Sequence, residues 1–507
     1  MIKRQPEFAS VPSAFADRLL FQLKTKPSIP IFSLLLLFAA AFLIRVWGLS
    51  YIHYWDEMVY LQNAKVICCG KTNYSELFFR PPLLSLLFAG VFLIRDHIFA
   101  ASIVTAALNA LGPVLLFLSG RKIVGALPSA LASLLLAFGP FFVGVFPAGF
   151  DSDDTGNSLL TDSPALTLVL LGLWLMLRAL ERQKFSRFAL AGFAMSLAIL
   201  IRFGSIPSVG LLCLLPILAN NRWRALLATA AGFIAGLGPY LLWSRIAYGG
   251  YLETLQEGWK NVEGPSPPFT FYLTNAPIIF TWIGVLGLLL AAAAGLVILY
   301  KSLRKTPAPK ADLAISPTPE VLQSFLWLWL LVDFIFFSRM PHKEPRYVMP
   351  LAPPLLLLSG SGLALFCRLP GKLLRPAGVL LLTAGMAITL LPSASRFDGP
   401  FVVPDHPEEM QASSFLESRF APAMLVYMNF NYPAFAYFTN YKINVLPIGG
   451  PEVYRAIDEI PEGAILIAYR KNESGDPKIE ILNQDRNFEV LKEYSTLVIY
   501  RRVKNFK

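Results

Sequence analysis

The chain has 507 residues, 55% hydrophobic and only 15% charged, with a mean hydropathy of +0.55 and a formal net charge of +11. A water-soluble domain cannot hide that share of apolar surface, which excludes a soluble enzyme and predicts a polytopic α-helical membrane protein. The excess of Lys and Arg lies in short loops between apolar runs, where it sets topology, so no nucleic-acid partner is expected.

The first 28 residues form a polar tail carrying Lys3, Arg4, Arg18, Lys24 and Lys26 against Glu7 and Asp17, which places it in the cytoplasm. The apolar run 31–49 has no small-residue cleavage site after it and reads as an uncleaved anchor. On its far side comes Tyr54-Trp55-Asp56-Glu57-Met58. A helix starting there separates the side chains of Asp56 and Glu57 by about 100°. One can then face a cavity while the other bonds to protein or a metal. A carboxylate at the low-dielectric boundary suits a general base; acidic residues are also favoured at a helix start by the dipole alone.

Next, Arg80-Pro81-Pro82 stiffens the chain, and its guanidinium either snorkels to the interface or meets a phosphate. The run 83–94 is short for a span. Taken as a re-entrant or juxtamembrane helix, it leaves the basic loops at 121–122, 181–187, 221–224, 301–310 and 368–375 on the cytoplasmic side. Segments 151–162, 248–275 and 341–346 then face out, with about eleven spans and an external C-terminus. The loop 151–162 is acidic but lacks the spacing of a Ca²⁺ loop, and Asp162 at its end is either an N-cap or a ligand-facing acid. Arg202, in an apolar context on the external side, calls for an anionic partner.

The external loop 248–275, with Trp259 and Tyr272, is a candidate lid or a set of interfacial anchors. Residues 305–320, rich in Pro and Ala, read as a flexible loop. Pro341-His342-Lys343-Glu344-Pro345-Arg346-Tyr347 collects three cationic or potentially cationic groups on the side where the charge bias predicts few. Facing external carboxylates, they fit a phosphate-bearing substrate. From about residue 393 the composition turns soluble. Strands at 424–428, 443–447, 464–469, 488–491 and 497–501, with helices at 407–419 and 451–460, predict a small external α/β domain. The four cysteines show neither a disulfide framework nor metal-ligand spacing and read as small buried hydrophobes. No internal repeat is evident. The expected organisation is a tail at 1–28, a membrane domain at 29–392 and the α/β domain at 393–507.

Taken together, the external Asp-Glu after the first span, the basic-Pro-Pro-Leu motif and the Leu-x-Asp-Ser-Pro segment resemble those of GT-C glycosyltransferases that use polyprenyl-phosphate sugars, near the protein O-mannosyltransferases and the lipid A aminoarabinose transferases. His342–Tyr347 also looks like the His-Lys-Glu-x-Arg-Phe motif of dolichol-phosphate-mannose-dependent enzymes, with Tyr347 replacing Phe. The resemblance implies a GT-C-like fold and transfer of a sugar, mannose-like in one reading, from a polyprenyl phosphate to a hydroxyl of a glycan, lipid or protein acceptor. It implies inversion, with Asp56 as base and Glu57 beside it. Arg80, Arg202, His342, Lys343 and Arg346 would meet the donor phosphate, and Asp162, Tyr347 and Trp259 the substrate. Aminoarabinose transferases carry a Glu two residues before the basic-Pro-Pro motif, where this chain has Phe78. Glu76 is out of register, so a divalent metal stays open. The competing class is a lipid-linked-sugar flippase or transporter, which calls for broken helices at midplane and paired repeats. The polar outliers gather on one side instead. The expected location is a bacterial inner membrane, with site and C-terminal domain periplasmic.

Overall fold

The computed structural model describes residues 31–47, 55–144, 160–260, 267–303, 318–369, 373–398, 407–428, 430–447, 451–470, 482–483 and 485–503. The N-terminal tail, the acidic stretch 151–154 and most of the 305–320 loop lie outside the described residues. Six helical stretches among them are long and apolar enough to cross a membrane: Ile98–Ile123, Asp162–Arg182, Arg222–Tyr248, Pro319–Arg339, Pro345–Arg368 and Leu374–Ala394. Six shorter apolar helices accompany them: Ile31–Val46, Leu83–Ile94, Ala126–Phe138, Phe185–Ile201, Phe203–Leu218 and Trp282–Ile298. The protein is thus polytopic and mostly helical, with large side chains such as Ile31, Leu227, Leu289 and Leu380 turned outward.

Helix boundaries follow local chemistry. Asn221 accepts from the backbone N–H of Arg224 to start the helix Arg222–Tyr248, and Gly249 at φ 87° ends it. Packing inside the bundle relies on backbone contact. A Cβ on Gly232 would sit 1.8 Å from the Ala189 carbonyl oxygen, and one on Gly192 would sit 2.1 Å from that of Thr229. Helices Phe185–Ile201 and Arg222–Tyr248 therefore touch where only glycine fits, as expected where lipid offers no hydrophobic drive between helices. At 12 residues the helix Leu83–Ile94 is about 18 Å long, well short of a hydrocarbon core of about 30 Å. It packs beside Trp55–Cys69, with Leu84, Phe88 and Phe92 meeting Met58, Leu61 and Ala64.

All five C-terminal strands predicted from alternation are present: β1 (Val426–Met428), β2 (Ile443–Val445), β3 (Ile465–Tyr469), β4 (Phe488–Glu493) and β5 (Leu497–Arg502). They form one sheet in the order β2-β1-β3-β5-β4. β1 runs parallel to β2 and β3, whereas β5 is antiparallel to β3 and β4. Alternate side chains of β3 feed two cores: Ile465 and Ile467 join Phe435 and Tyr441, and Leu466 and Ala468 join Val453 and Tyr500. The helix Tyr432–Phe438 then sends Ala434 and Tyr437 into the core of Trp55–Cys69 and Leu83–Ile94, docking the domain beside Asp56.

One expectation needs correction. Cys68 and Cys69 are not two buried thiols but a disulfide between neighbours, with Cys69 exposed and Cys68 half-buried. A bond across one peptide closes no long loop, so it staples no fold. Cys213 and Cys367 are free and half-buried.

Candidate active site

Asp56 lies in the first turn of the helix Trp55–Cys69. Arg80 sits on a turn in which its N–H donates to the Glu76 carbonyl at 3.1 Å, immediately before Pro81-Pro82 opens the next helix. Arg202 stands where the helix Phe185–Ile201 breaks into extended backbone at φ −151°. His342 to Tyr347 link the ends of two span-length helices. These four chain segments converge on a cavity of about 610 Å³, whose lining includes Asp56, Tyr60, Arg80, Arg202, Trp259, His342, Glu344, Arg346 and Tyr347.

The charges alternate in sign along the wall. Arg80 Nη2 lies 2.8 Å from Asp56 Oδ1, and Arg346 Nη2 lies 2.9 Å from Asp56 Oδ2. Arg80 Nε reaches Glu76 Oε2 at 2.9 Å, and Tyr74 donates to the other oxygen of Glu76. Arg346 Nε also pairs with Glu344, which meets His342 Nε2 at 2.6 Å and accepts from the Tyr347 hydroxyl at 3.2 Å. Arg202 Nη1 finds its anionic partner in Asp162 Oδ2 at 3.0 Å, and its guanidinium lies 4.9 Å over the Tyr347 ring.

Burial would push the Asp56 carboxyl upward, but the guanidinium groups of Arg80, Arg346 and Arg202 outweigh it and hold the carboxyl well below the usual range. Glu344 is likewise pushed up by burial, and the hydrogen bond from His342 and the charge of Arg346 bring it down to about 2. Both groups are carboxylates throughout the physiological range.

Three of the residues singled out from sequence do not line the cavity. Glu57 is buried at 2% exposure, on another side of the helix from Asp56. Lys343 is turned to the Pro267 carbonyl at 2.7 Å. Asp162 lies fully buried behind Arg202. Conversely, sequence reading assigned no role to Glu344 or Glu76. The signal for Glu76 was present in its four-residue spacing from Arg80; Glu344 was visible as the one anion among three cations.

The donor set does not suit a divalent ion. Among the described residues no three His, Cys, Asp or Glu side chains converge, and Asp56, Glu76, Glu344 and Asp162 each already face a guanidinium. The positive charge of this site resides on arginine.

Beside the cavity runs a groove of about 350 Å³ lined by Trp259, Val332, Ile335, Phe336, Arg339 and Met340. Trp259, Phe336 and Met340 also line the cavity, so the two spaces share an apolar wall.

Residues 79–244 match the family described as dolichyl-phosphate-mannose-protein mannosyltransferase. An undecaprenyl phosphate-alpha-4-amino-4-deoxy-L-arabinose arabinosyl transferase of Pseudomonas aeruginosa (strain LESB58) is 26% identical over an alignment of 356 residues that covers 66% of this chain. The chain spans 60% of the length of that relative. The crystal structure of ArnT from Cupriavidus metallidurans bound to undecaprenyl phosphate superposes with a TM-score of 0.58 at 14% identity, covering 96% of this chain and 98% of that one. The apo oligosaccharyltransferase of Archaeoglobus fulgidus gives 0.54 at 12% identity, covering 86% and 69%. At such identities the structural likeness speaks for the fold, and the fold is ArnT-like.

Proposed function

We propose that this chain, which belongs to the GT-C glycosyltransferases in fold and in sequence likeness, moves a sugar from a polyprenyl phosphate to an acceptor hydroxyl. The observation that carries the reading is Asp56, held between two arginines in a cavity that shares an apolar wall with a neighbouring groove. The acceptor oxygen attacks the anomeric carbon, and the bond from that carbon to the phosphate oxygen breaks on the opposite face. The polyprenyl phosphate leaves with one more negative charge, and the acceptor proton passes to Asp56. Configuration inverts.

Arg80, Arg346 and Arg202 neutralise the departing phosphate, a role suited to guanidinium forks that need no proton bookkeeping. Both oxygens of Asp56 are engaged by guanidinium groups, which makes it a poor proton acceptor. A phosphate arriving between Arg80 and Arg346 competes for the same donors. As they turn to it, Asp56 is left in its low-dielectric setting and becomes a better base. Donor binding thus prepares the base before the acceptor is deprotonated. Trp259 and the groove take the first isoprene units, and His342 and Tyr347 hold Glu344, which steadies Arg346. Lys343 supports backbone beside the site through the Pro267 carbonyl. Glycan, lipid and protein hydroxyls all suit this chemistry, and a hexose or a pentose would fit it. The site would face away from the cytoplasm, in a bacterial inner membrane.

The test is purified protein in lipid with a panel of radiolabelled polyprenyl-phosphate sugars and a cell extract as source of acceptors. Consumption of one donor, with release of polyprenyl phosphate that disappears in Asp56→Asn, is expected. A folded protein that consumes none would overturn the reading in favour of a flippase.

A further inference from the structure

The C-terminal domain is bound to the membrane domain by contacts that end on Arg80. Lys71 Nζ donates to the carbonyls of Ala436, Tyr437 and Thr439 at 3.1, 2.6 and 2.9 Å, and Asn73 Nδ2 donates to those of Ala436 and Thr439, both at 2.9 Å. These groups close the carbonyl end of the helix Tyr432–Phe438, where a cation and an amide donor satisfy otherwise unpaired acceptors. At the other end of that helix, the Tyr432 ring meets Tyr74 and Trp55 edge to face, with centroids 4.9 and 4.3 Å apart. Tyr74 donates to Glu76, and Glu76 takes the Nε edge of Arg80. Glu76 is only 4% exposed and does not line the cavity.

A guanidinium held along one edge keeps its remaining N–H groups aimed. With Nε on Glu76, Arg80 directs Nη2 at Asp56. Within the membrane domain, Gln62 Nε2 donates to the Tyr74 carbonyl at 3.0 Å and the Glu76 N–H donates to Asn63 Oδ1 at 2.9 Å, which hold the backbone; the ring of Tyr74 in addition meets, edge to face, a residue of the soluble domain more than 350 positions later in the chain.

We propose that the C-terminal domain is a working part of the phosphate site: through Tyr432 and Tyr74 it fixes Glu76, a positioning residue that sets the guanidinium of Arg80 for the lipid phosphate. The inference rests on the transferase reading. It gives the soluble domain a function that its size did not suggest, and it makes the domain's attachment a determinant of donor affinity.

The experiment measures the affinity of the purified full-length protein, in lipid nanodiscs, for undecaprenyl phosphate. Melting temperature is followed in parallel. Glu76→Ala is expected to weaken binding about tenfold, the size of one lost hydrogen bond from the Arg80 guanidinium. Glu76→Gln, which keeps an oxygen for Arg80 Nε, should restore affinity to within about threefold of wild type. Tyr74→Phe keeps the ring and loses only the hydroxyl, and should weaken binding by about threefold. Lys71→Met, remote from the phosphate, should act in the same direction by loosening the helix Tyr432–Phe438.

Variants that melt earlier yet bind undecaprenyl phosphate as tightly as wild type would overturn the proposal, since a merely structural contact moves stability alone. Equal losses for Glu76→Gln and Glu76→Ala would also overturn it, by making the charge of Glu76 the active element. Should Glu76→Ala fail to fold, Tyr74→Phe decides. A wild type with no affinity for undecaprenyl phosphate would instead sink the transferase reading, and this inference with it.

Discussion

Asp56 and Asp333 are both aspartates in a protein built for lipid, and the structure treats them in opposite ways. Asp56 stands at the cavity with a guanidinium on each oxygen. Asp333 is fully buried inside the span-length helix Pro319–Arg339, and its Oδ2 accepts from neutral donors, the indole N–H of Trp329 at 2.8 Å and the hydroxyl of Ser208. The first arrangement is electrostatically loaded: any incoming phosphate competes for the same arginines. The second offers an arriving anion nothing. It ties Pro319–Arg339 to the helix Ile206–Leu212 and closes the polar demand of one side chain within the bundle. On the proposed transferase reading, what separates a reacting acid from a structural one is the charge and reach of its donors, more than its depth.

The largest effect should come from Asp56→Asn. Loss of a positioned base costs about 10²–10⁴ in rate, and here transfer should fall by about three orders of magnitude. The same change removes the internal competitor for Arg80 and Arg346, so affinity for undecaprenyl phosphate should rise while turnover vanishes. A parallel loss of affinity would mean that Asp56 organises the arginines instead of competing with phosphate for them.

Arg346→Gln sharpens the point through pH. In the wild type the Asp56 carboxyl is held below the ordinary carboxylate range, so its base form is present throughout the physiological range and is lost only in strong acid. Removing Arg346 leaves burial less opposed, the carboxyl rises, and the acidic limb of kcat/KM moves to higher pH. Turnover itself should drop about a hundredfold, as for loss of one preorganised electrostatic donor. An acidic limb that stays in place would detach Asp56 from catalysis. The sign for stability is the same: the depressed Asp56 and Glu344 contribute stability above their unfolded values near 4, and lose it as pH falls toward the about 2 of Glu344.

Much of this was legible along the chain, for physical reasons that can be named. Apolar runs and loop charges mark membrane helices because lipid tolerates no unpaired backbone, and five short alternating segments mark the strands because side chains alternate across a sheet. Cations at Arg202, Lys343 and Arg346 drew attention because the charge bias argues against them, and the structure brings Arg202 and Arg346 to one cavity. Glu76 escaped because motif register, not helical spacing, was used to weigh it. Tyr432 could not be found at all: its relation to Tyr74 exists only after two domains have packed. The bond between Cys68 and Cys69 was passed over because cysteines were judged by spacing between distant segments. Asp333 drew no notice, since one acid in an apolar run shows neither the Trp329 beneath it nor Ser208 across the bundle.

A smaller effect tests where the cavity meets lipid. Trp259→Ala removes a wall common to cavity and groove. It should raise KM for an undecaprenyl-phosphate sugar by about fivefold, within the range for losing part of one buried aromatic contact. A donor whose lipid is cut back to a methyl group should show a smaller rise, because it reaches neither Trp259 nor the groove in either protein. Equal effects on both donors would place Trp259 against the sugar instead of the lipid.

The smallest effect on chemistry returns to Asp333. Asp333→Asn still offers an oxygen to Trp329 and Ser208, and transfer by the folded protein should change by no more than about twofold. Asp333→Ala leaves the indole N–H of Trp329 and the hydroxyl of Ser208 with only each other, at 3.0 Å, and opens a void. It should cost about 2 kcal/mol of stability, seen as earlier thermal aggregation, while the donor KM of the surviving enzyme stays near wild type. If Asp333→Asn instead slowed transfer as Asp56→Asn does, the carboxyl in the bundle would have to exchange charge with the cavity one helical turn above it, and the division between a loaded site and a neutral brace would fail.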